Sequence, residues 1–327
     1  MLSLQDPTGR GFSYLRLSVT DLCNLRCKYC LPNGYQKSDA TSHPLEIPEI
    51  RRLITAVSEL GIWKVRITGG EPLLRNDITQ IAETVSSCPG VKRLALSTNG
   101  YRFTRTAKDL LTAGVQAVNI SVDSLDRETF KEVTGRDKLK EVLESVDTAL
   151  ELGFSSVKVN TVLLRDVNDK DIDKLIEWTR SIPIGVRFIE LMRTNDNVDC
   201  FRKHHFSAST LRDKLIRGGW TVETRKPGAG PAEVFSHSSY EGTVGIIAPY
   251  AKDFCSSCNR LRVSSKGNLQ LCLFGDETYS LRDLLQSDWQ KPELKETIAL
   301  LLKNKAPTHL LHENNSGRTS NLSIIGG

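Results

Sequence analysis

The sequence predicts an α/β protein built around a parallel sheet. Over the first two hundred residues, short apolar runs rich in Val, Ile and Leu alternate with segments whose apolar residues recur at helical spacing. Proline and glycine stand at the boundaries of those segments. Because strands that alternate with helices are joined by right-handed crossovers, the strands should be parallel, in a sheet that is either doubly wound or curled towards a barrel.

The apolar runs predict six strands, over residues 14–19, 64–68, 94–98, 117–122, 157–162 and 186–191. The clearest helix covers 48–60, with Pro48 in its first turn and Gly61 just past its end. A second clear helix covers 139–152 and stops at Gly153. Further helices are expected in the remaining gaps, over 77–87, 104–113 and 168–180.

Three cysteines, Cys23, Cys27 and Cys30, follow the first strand with the spacing C-x3-C-x2-C. They provide one thiolate fewer than a closed iron–sulfur or zinc site uses, so one metal position stays open to a small molecule. A zinc site completed by a distant ligand remains an alternative. Disulfides are not expected in a chain of 327 residues whose first twenty contain no apolar secretory segment.

Composition and charge predict a soluble, cytoplasmic enzyme. Apolar residues make up 39% of the chain, and no apolar stretch approaches the 18 or so residues that span a bilayer. The net charge of +5 is dispersed along the chain. We therefore expect no membrane and no nucleic acid as partners, and an anionic small substrate met by a few inward-pointing cations.

A second cysteine triad, Cys255, Cys258 and Cys272, lies more than two hundred residues after the first, and an Arg-x-Arg pair, Arg260 and Arg262, comes just after its second cysteine. From local sequence, a zinc knuckle remains an alternative, although no histidine lies at zinc-finger spacing. The candidate fourth ligands would be His204, His205 and His237. Cys88 and Cys200 have no partner at metal spacing and are expected to be buried or free thiols.

The first triad, with Tyr29 just before its last cysteine, resembles the signature of the radical S-adenosylmethionine superfamily. Together with the second triad, the Arg-x-Arg pair and a Gly326-Gly327 end, it is similar to the GTP 3′,8-cyclase (MoaA) family of molybdenum cofactor biosynthesis. The resemblance implies a partial six-stranded (β/α) barrel over residues 1–195. A C-terminal iron–sulfur region over 196–327, with a flexible tail, would close the open side of the barrel.

The resemblance also implies two 4Fe-4S clusters, one on each triad and both facing one chamber, and it assigns roles to individual residues. S-adenosylmethionine would contact Tyr29, Gly70, Ser121 and Met192. The chain contains no G-x-x-x-x-G-K-[ST] motif, so separate cations should bind the triphosphate of GTP. The substrate contacts would be Arg16, Arg66, Ser97, Lys158, Arg260, Leu261 and Arg262. Arg260, Gly326 and Gly327 would complete the catalytic set.

The implied reaction is that of a lyase. A reduced first cluster would cleave S-adenosylmethionine to a 5′-deoxyadenosyl radical, which removes hydrogen from the 3′ carbon of GTP so that the ribose attacks carbon 8 of guanine. The second cluster would bind the guanine. An electron donor, a downstream cyclic pyranopterin monophosphate synthase and a homodimer are the protein partners expected. The alternatives are another two-cluster radical enzyme, for instance one that modifies a peptide, and a zinc protein that binds nucleotide.

Overall fold

The computed structural model describes residues 4–36, 43–226, 228–317, 319–320 and 322–324. Within these ranges, twelve strands form one sheet in the order β12-β11-β10-β1-β2-β3-β4-β5-β6-β9-β8-β7. The eight strands from β10 to β9 in that order pair in parallel, and the outer strands pair antiparallel. This open, mainly parallel sheet confirms the predicted α/β class and the partial barrel.

The first six strands are β1 (Tyr14–Ser18), β2 (Lys64–Thr68), β3 (Arg93–Thr98), β4 (Val115–Ser121), β5 (Ser156–Leu163) and β6 (Gly185–Glu190). The helices between them are α1 (Ile47–Glu59), α2 (Ile78–Ser86), α3 (Phe103–Thr112), α4 (Arg127–Thr134), α5 (Leu139–Glu151) and α6 (Ile172–Trp178). Every predicted element of this half is confirmed to within two residues, counting the 3-10 turn Asp169–Asp171 that leads into α6. Pro48 lies in the first turn of α1, and Gly61 beyond its end has a positive φ of 100°.

The structure adds helix α4, which the apolar pattern does not predict. Its start is fixed by Asp126, whose carboxylate accepts hydrogen bonds from the backbone N–H and the hydroxyl of Thr129 at 2.9 and 2.8 Å. Gly135, with φ 69°, ends the helix in the left-handed conformation. The segment is too short to show a clear apolar stripe, so only its capping residues, Asp126 and Gly135, could have predicted this helix.

The second half of the chain extends both edges of the sheet. Its strands are β7 (Thr221–Val222), β8 (Glu233–Ser236), β9 (Thr243–Ile247), β10 (Arg260–Val263), β11 (Asn268–Gln270) and β12 (Tyr279–Ser280). Its helices are α7 (Val198–His204), α8 (Ala208–Arg217) and α9 (Lys291–Leu301). Strand β9 pairs with β6 and strand β10 pairs with β1, so this half lies beside both ends of the six-stranded unit. The division after residue 195 stays a prediction.

The core lies between the sheet and its helices, where Leu15, Leu17, Ile67 and Phe188 are fully buried. Burying each side chain of this size stabilises the fold by about 1.5–3 kcal/mol. This gain offsets the cost of placing polar side chains elsewhere on the same sheet. Among the residues described, no helix combines the length and the apolar character needed to cross a bilayer.

Candidate functional site

A single cavity of about 1280 Å³ brings both cysteine triads together. Its lining includes Cys23, Cys27, Cys30, Cys255, Cys258 and Cys272. The other two cysteines lie elsewhere: Cys88 donates to the carbonyl of Thr84, and Cys200 packs in a small apolar cluster beside Val133 and Leu164. Each triad therefore presents three thiols, and neither Cys88 nor Cys200 lines the cavity as a fourth ligand for either triad.

The first triad lies on the loop after β1, and that loop is tied to the end of α4. The backbone N–H groups of Arg26 and Lys28 donate to the carbonyls of Thr134 and Val133 at 2.9 and 3.0 Å. Within the loop, the N–H of Cys30 donates to the carbonyl of Cys27 at 3.0 Å. The unpredicted helix α4 thus holds the cysteines in place at the carboxyl ends of the strands.

Tyr29, Ser121 and Met192, predicted to contact the cofactor, all line the cavity. The Tyr29 hydroxyl donates to Asp123 at 2.9 Å, and burial raises the pKa of the Asp123 carboxyl to about 6. Met192 follows β6, and its carbonyl accepts from the side chain of Asn197 at 2.9 Å. These three residues reach the same chamber from the first triad loop, from the end of β4 and from the segment after β6.

Gly70 also lines the cavity, but the structure gives a different reason for its being glycine. A Cβ on Gly70 would lie 2.3 Å from the Leu22 carbonyl oxygen, and one on Gly69 would lie 2.5 Å from that of Thr20. Both contacts are with backbone that cannot move aside. The close neighbour of both glycines is the first triad loop, which they admit against the end of β2. Contact of Gly70 with the cofactor stays a prediction.

Glu71 is a site residue that the sequence reasoning missed, although it stands within the Gly-Gly-Glu-Pro run. Its buried carboxylate accepts from the Thr98 hydroxyl at 2.7 Å and from the backbone N–H of Asn99 and Leu73 at 2.6 and 3.0 Å. Burial raises its pKa to about 7, despite these donors. Since the Asn99 side chain donates to Asn24 at 2.7 Å, Glu71 joins the ends of β2 and β3 to the cysteine loop.

The two triads lie in opposite electrostatic surroundings. Burial raises the pKa of Cys23 to about 11 and that of Cys30 to about 12. The pKa of Cys27 is raised well above its usual value by burial and then by the Asp123 carboxylate. These thiols hold their protons until a metal replaces them.

Two cysteines of the second triad, Cys255 and Cys258, lie where the thiolate is favoured. Burial tends to raise the pKa of Cys255, but hydrogen bonds from His309 and Thr308 outweigh it and bring the value to about 7. Burial has the same tendency at Cys258, where the charge of Arg260 and hydrogen bonds from it prevail and lower the pKa. Arg260, expected at the substrate, thus also contacts a cysteine of this triad.

Cations stand in register across neighbouring strands on the cavity side of the sheet. Arg66 of β2, Arg16 of β1 and Arg262 of β10 are paired one with the next, and all three line the cavity. Burial and then the charge of Arg262 hold the pKa of Arg16 well below its usual value. A second row, two residues earlier on the same strands, holds Lys64, Tyr14 and Arg260.

Lys158 of β5 extends this cationic surface, and its lining position agrees with the expectation that strand charges point inwards. Burial, followed by the charges of Arg187, Arg66 and Arg93, lowers its pKa to about 7. Arg187 of β6, whose own pKa is lowered to about 10 by burial and then by Arg66, was not predicted. The missed signal was alternation, because every second residue of these strands faces the cavity. The other cations overlooked for the same reason are Lys64 and Arg93.

The Tyr14 hydroxyl lies among these cations, which make it more acidic than an ordinary tyrosine. Its hydroxyl accepts from Arg66 Nε at 2.6 Å, and Lys64 Nζ lies 4.6 Å from the centre of its ring. Burial tends to raise its pKa, but Arg66, Arg16 and Lys64 together lower it to about 7. Burial also lowers the pKa of Lys64, to about 8. Three proton-binding groups of this surface therefore titrate near neutral pH.

The remaining predicted substrate contacts differ in where the structure places them. The Ser97 hydroxyl lines the cavity and accepts from Arg66 at 3.1 Å. The Leu261 side chain is 1% exposed and packs in the core, so the structure does not bring it to the cavity. Strand alternation explains this, because Leu261 lies between two cavity-facing arginines. Gly326 and Gly327 lie outside the described residues.

The chain reaches the cavity again near its end. The N–H groups of Asn195 and Asp196 donate to the carbonyls of Thr319 and Ser320, each at 3.0 Å. Farther along, Leu322 and Ser323 line the cavity and donate backbone hydrogen bonds to Cys30. The residues just before the double glycine thus lie at the first triad.

These donor sets suit iron–sulfur clusters, because each triad offers three thiols on one wall of a shared chamber and leaves the fourth side to the cavity. Gly69 and Gly70 allow the backbone of the first triad loop to pack directly against the end of β2. Of the zinc-ligand candidates, His205 contacts Glu190 at 2.9 Å, His204 contacts the Arg165 carbonyl, and His237 packs on Trp220. In the part of the chain described, no three His, Cys, Asp or Glu side chains converge to hold one metal ion.

Comparison with known families accounts for most of the chain. Residues 17–179 match the radical SAM superfamily, and residues 184–311 match the family described as Molybdenum Cofactor Synthesis C. Among solved structures, the chain is similar to Streptococcus suis SuiB bound to S-adenosylmethionine, with a TM-score of 0.65 and 12% identity over 90% of this chain and 68% of that one. The same protein bound to its precursor peptide SuiA gives 0.60 and 14%, over 91% and 74%. At these identities the likeness concerns the fold.

Proposed function

Because this chain belongs to the radical SAM superfamily and carries a molybdenum cofactor synthesis region after its barrel, we propose that it is the GTP 3′,8-cyclase of that pathway. It would form (8S)-3′,8-cyclo-7,8-dihydroguanosine 5′-triphosphate. Two 4Fe-4S clusters and S-adenosylmethionine would be its cofactors. Cytoplasmic location, the electron donor, the downstream synthase and a homodimer stay predictions that accompany this proposal.

The observation that carries the proposal is the row of Arg66, Arg16 and Arg262 in the chamber that holds both triads. Like charges directly opposite one another on adjacent strands destabilise a sheet. Such a row is retained where a ligand with several negative charges compensates it, and guanidinium groups bind phosphate oxygens two at a time. A triphosphate supplies the required charge in one molecule.

A cluster on the first triad would supply the electron that cleaves S-adenosylmethionine. The chain's own contribution there is positional: Asp123 fixes the Tyr29 hydroxyl, and Glu71 fixes the strand ends behind Gly70. At the opposite wall, Arg260 links the second triad to the cationic row, since it contacts Cys258 and stands beside Tyr14. A nucleotide with its phosphates on the row and its base at the second triad would thus be held at both ends.

The test is anaerobic incubation of the reduced, reconstituted protein with S-adenosylmethionine and GTP. The proposal predicts 5′-deoxyadenosine together with a cyclised guanosine triphosphate, and neither cyclised product nor coupled cleavage when ATP replaces GTP. Iron and sulfide analysis accompanies it. Zinc without iron, or turnover of a peptide in place of GTP, would overturn the proposal in favour of one of the two alternatives.

Binding of the triphosphate should weaken as the pH rises from about 7 to about 9. Bound phosphate would keep Lys158 and Lys64 protonated and Tyr14 neutral, whereas the free protein loses these protons at pH values of about 7 to 8. Each linked proton contributes up to about a tenfold loss per pH unit. Tyr14→Phe should flatten the dependence, and Tyr101→Phe, whose ring contacts Lys138 instead, should not. Calorimetric titration with GTP would measure both; equal slopes in all three proteins would contradict the assignment.

Removal of Gly326 and Gly327 should lower product formation by about tenfold or more without unfolding the protein. The reason is that Leu322 and Ser323 direct the end of the chain to Cys30, and a small misplacement in such a site is costly. The double variant Gly326→Ala and Gly327→Ala keeps the length of the tail. It therefore separates the effect of tail length from the effect of side-chain size. Product yield and the thermal unfolding midpoint are the two measurements. Full activity after the deletion would count against a role for the tail.

A further inference from the structure

A four-residue segment, Ala306 to His309, lies against the second triad, and we call it the His309 strap. Its last two residues, Thr308 and His309, lie close enough to Cys255 to lower the pKa of that thiol, and the Thr308 hydroxyl donates to the His309 carbonyl at 3.2 Å. His309 is 4% exposed and lines the cavity. No local pattern predicts this proximity, because His309 stands fifty-four residues from Cys255 in the sequence.

The hydrogen bonding of the ring determines which nitrogen carries the proton. The backbone N–H of Leu311 donates to His309 Nδ1 at 3.3 Å, so the neutral ring carries its proton on Nε2. Nε2 is buried and makes no hydrogen bond within the described part of the chain. A buried N–H without a partner is costly, and the Cys255 sulfur is the acceptor that the surroundings offer it.

The ring is held between both segments of the triad. Phe254, which precedes Cys255, lies 5.9 Å from it between ring centres, and Phe274, two residues after Cys272, lies 5.8 Å away. His312 stacks on its other side at 5.5 Å. These aromatic contacts restrict the ring, so Nε2 keeps one direction.

Arg10 fastens the strap to the cysteine loop. Its guanidinium donates to the carbonyls of Cys255, Pro307 and Ala306 at 2.9, 2.7 and 2.8 Å. Its Nε donates to the buried Asp6 carboxylate at 2.6 Å. The Arg10 side chain therefore binds both the backbone of Cys255 and the backbone of the His309 strap.

We propose that His309 is a positioning residue of the second cluster, donating from Nε2 to the Cys255 sulfur, and that Arg10 holds the strap in the position this requires. The inference rests on the proposed function, which places a cluster on this triad. Hydrogen bonds to a ligand sulfur favour the reduced state of a cluster and help to retain the metal. His309 would thus tune and retain the second cluster without contacting the substrate.

The test compares His309→Phe, which removes the donor, with His309→Gln, which returns an N–H near the place of Nε2. His312→Phe is the matched control, since His312 stacks on the ring and is exposed. Redox titration followed by electron paramagnetic resonance, in full-length protein whose first triad is changed to serine, isolates the second cluster. The readouts are its midpoint potential and the rate of iron loss to a chelator.

We expect His309→Phe to shift the potential to a more negative value and to speed iron loss by about tenfold. His309→Gln should recover part of both, and His312→Phe should resemble the parent. Arg10→Gln should reproduce the His309→Phe effects in weaker form. Its control is Arg52→Gln, which removes another arginine clamp, on Leu285 and Asp288, outside the cavity.

An unchanged potential and unchanged iron loss in His309→Phe, when the protein with both triads intact holds two clusters and converts GTP, would overturn this inference alone. Iron for one cluster only, bound at the first triad in the parent protein, would overturn it together with the proposed function. If His309→Phe does not fold, the His309→Gln and Arg10→Gln pair decides, because both keep a polar group where the native one stands.

Discussion

Replacing Cys272 by serine should abolish the conversion of GTP while some uncoupled cleavage of S-adenosylmethionine continues. A serine hydroxyl does not ionise near neutral pH and replaces a thiolate poorly as an iron ligand. Cys272 lines the wall opposite the first triad loop, and that loop is held by α4 and by Gly69 and Gly70. The change should therefore leave the radical-generating side of the chamber intact and lower cyclised product by at least about 10²-fold.

The matched variant is Cys27→Ser, which should remove 5′-deoxyadenosine and cyclised product together. Cys200→Ser is the control, because Cys200 packs in an apolar cluster and does not itself line the cavity. Chromatography of 5′-deoxyadenosine and of the nucleotides in one reaction separates the two activities. Full cyclase turnover by Cys272→Ser would refute a substrate-binding second cluster. Loss of both products in that variant would mean that both triads are needed to cleave S-adenosylmethionine.

The first half of the fold could be predicted because its signals are local. Apolar runs, Pro48 and Gly61 specify the elements from β1 to α6, with the exception of α4, from signals within a few residues of each one. The sheet edges could not be predicted in the same way, because the pairing of β10 with β1 joins residues about 246 positions apart, as between Arg16 and Arg262. Nothing in either segment alone encodes that partner. Family resemblance supplied the role of the Arg-x-Arg pair, and register shows how it meets Arg16.

Site residues that belong to a sequence motif could be predicted. Those that reach the site only through three-dimensional packing could not. The cysteine spacing and the strand arginines identified the chamber, and alternation along β10 would have excluded the Leu261 side chain from it. His309 and Arg10 could not be found, since their role depends on contacts with Cys255 across the fold. Gly70 was identified for the cofactor, yet its lack of a side chain is explained by the Leu22 carbonyl.

The largest effect of a single charge should come from Arg16→Met, which is expected to make the ligand-free protein more stable and its binding of triphosphate weaker. Arg16 stands between Arg66 and Arg262 in the cationic row, and burial and those charges disfavour its own charged state. Like charges directly opposite one another on neighbouring strands destabilise a sheet, by about 0.2–1 kcal/mol for each pair, so an apolar side chain of similar length at this position should stabilise the protein by about that amount. The same change removes a guanidinium from the phosphate site, and we expect affinity for GTP to fall by about 10- to 100-fold.

Thermal unfolding with and without GTP measures both effects in one experiment, since a ligand that binds the folded state raises the midpoint by an amount that grows with the logarithm of its affinity. Arg16→Met should start at a higher midpoint than the parent protein and gain less from GTP. Arg16→Lys should retain the parent's midpoint and much of its response, because it keeps the charge but not the paired donors. Arg105→Gln, on the exposed face of α3, should leave both unchanged. A less stable Arg16→Met that still responds fully to GTP would mean that the cationic row serves the fold, and the substrate would then need another binding surface.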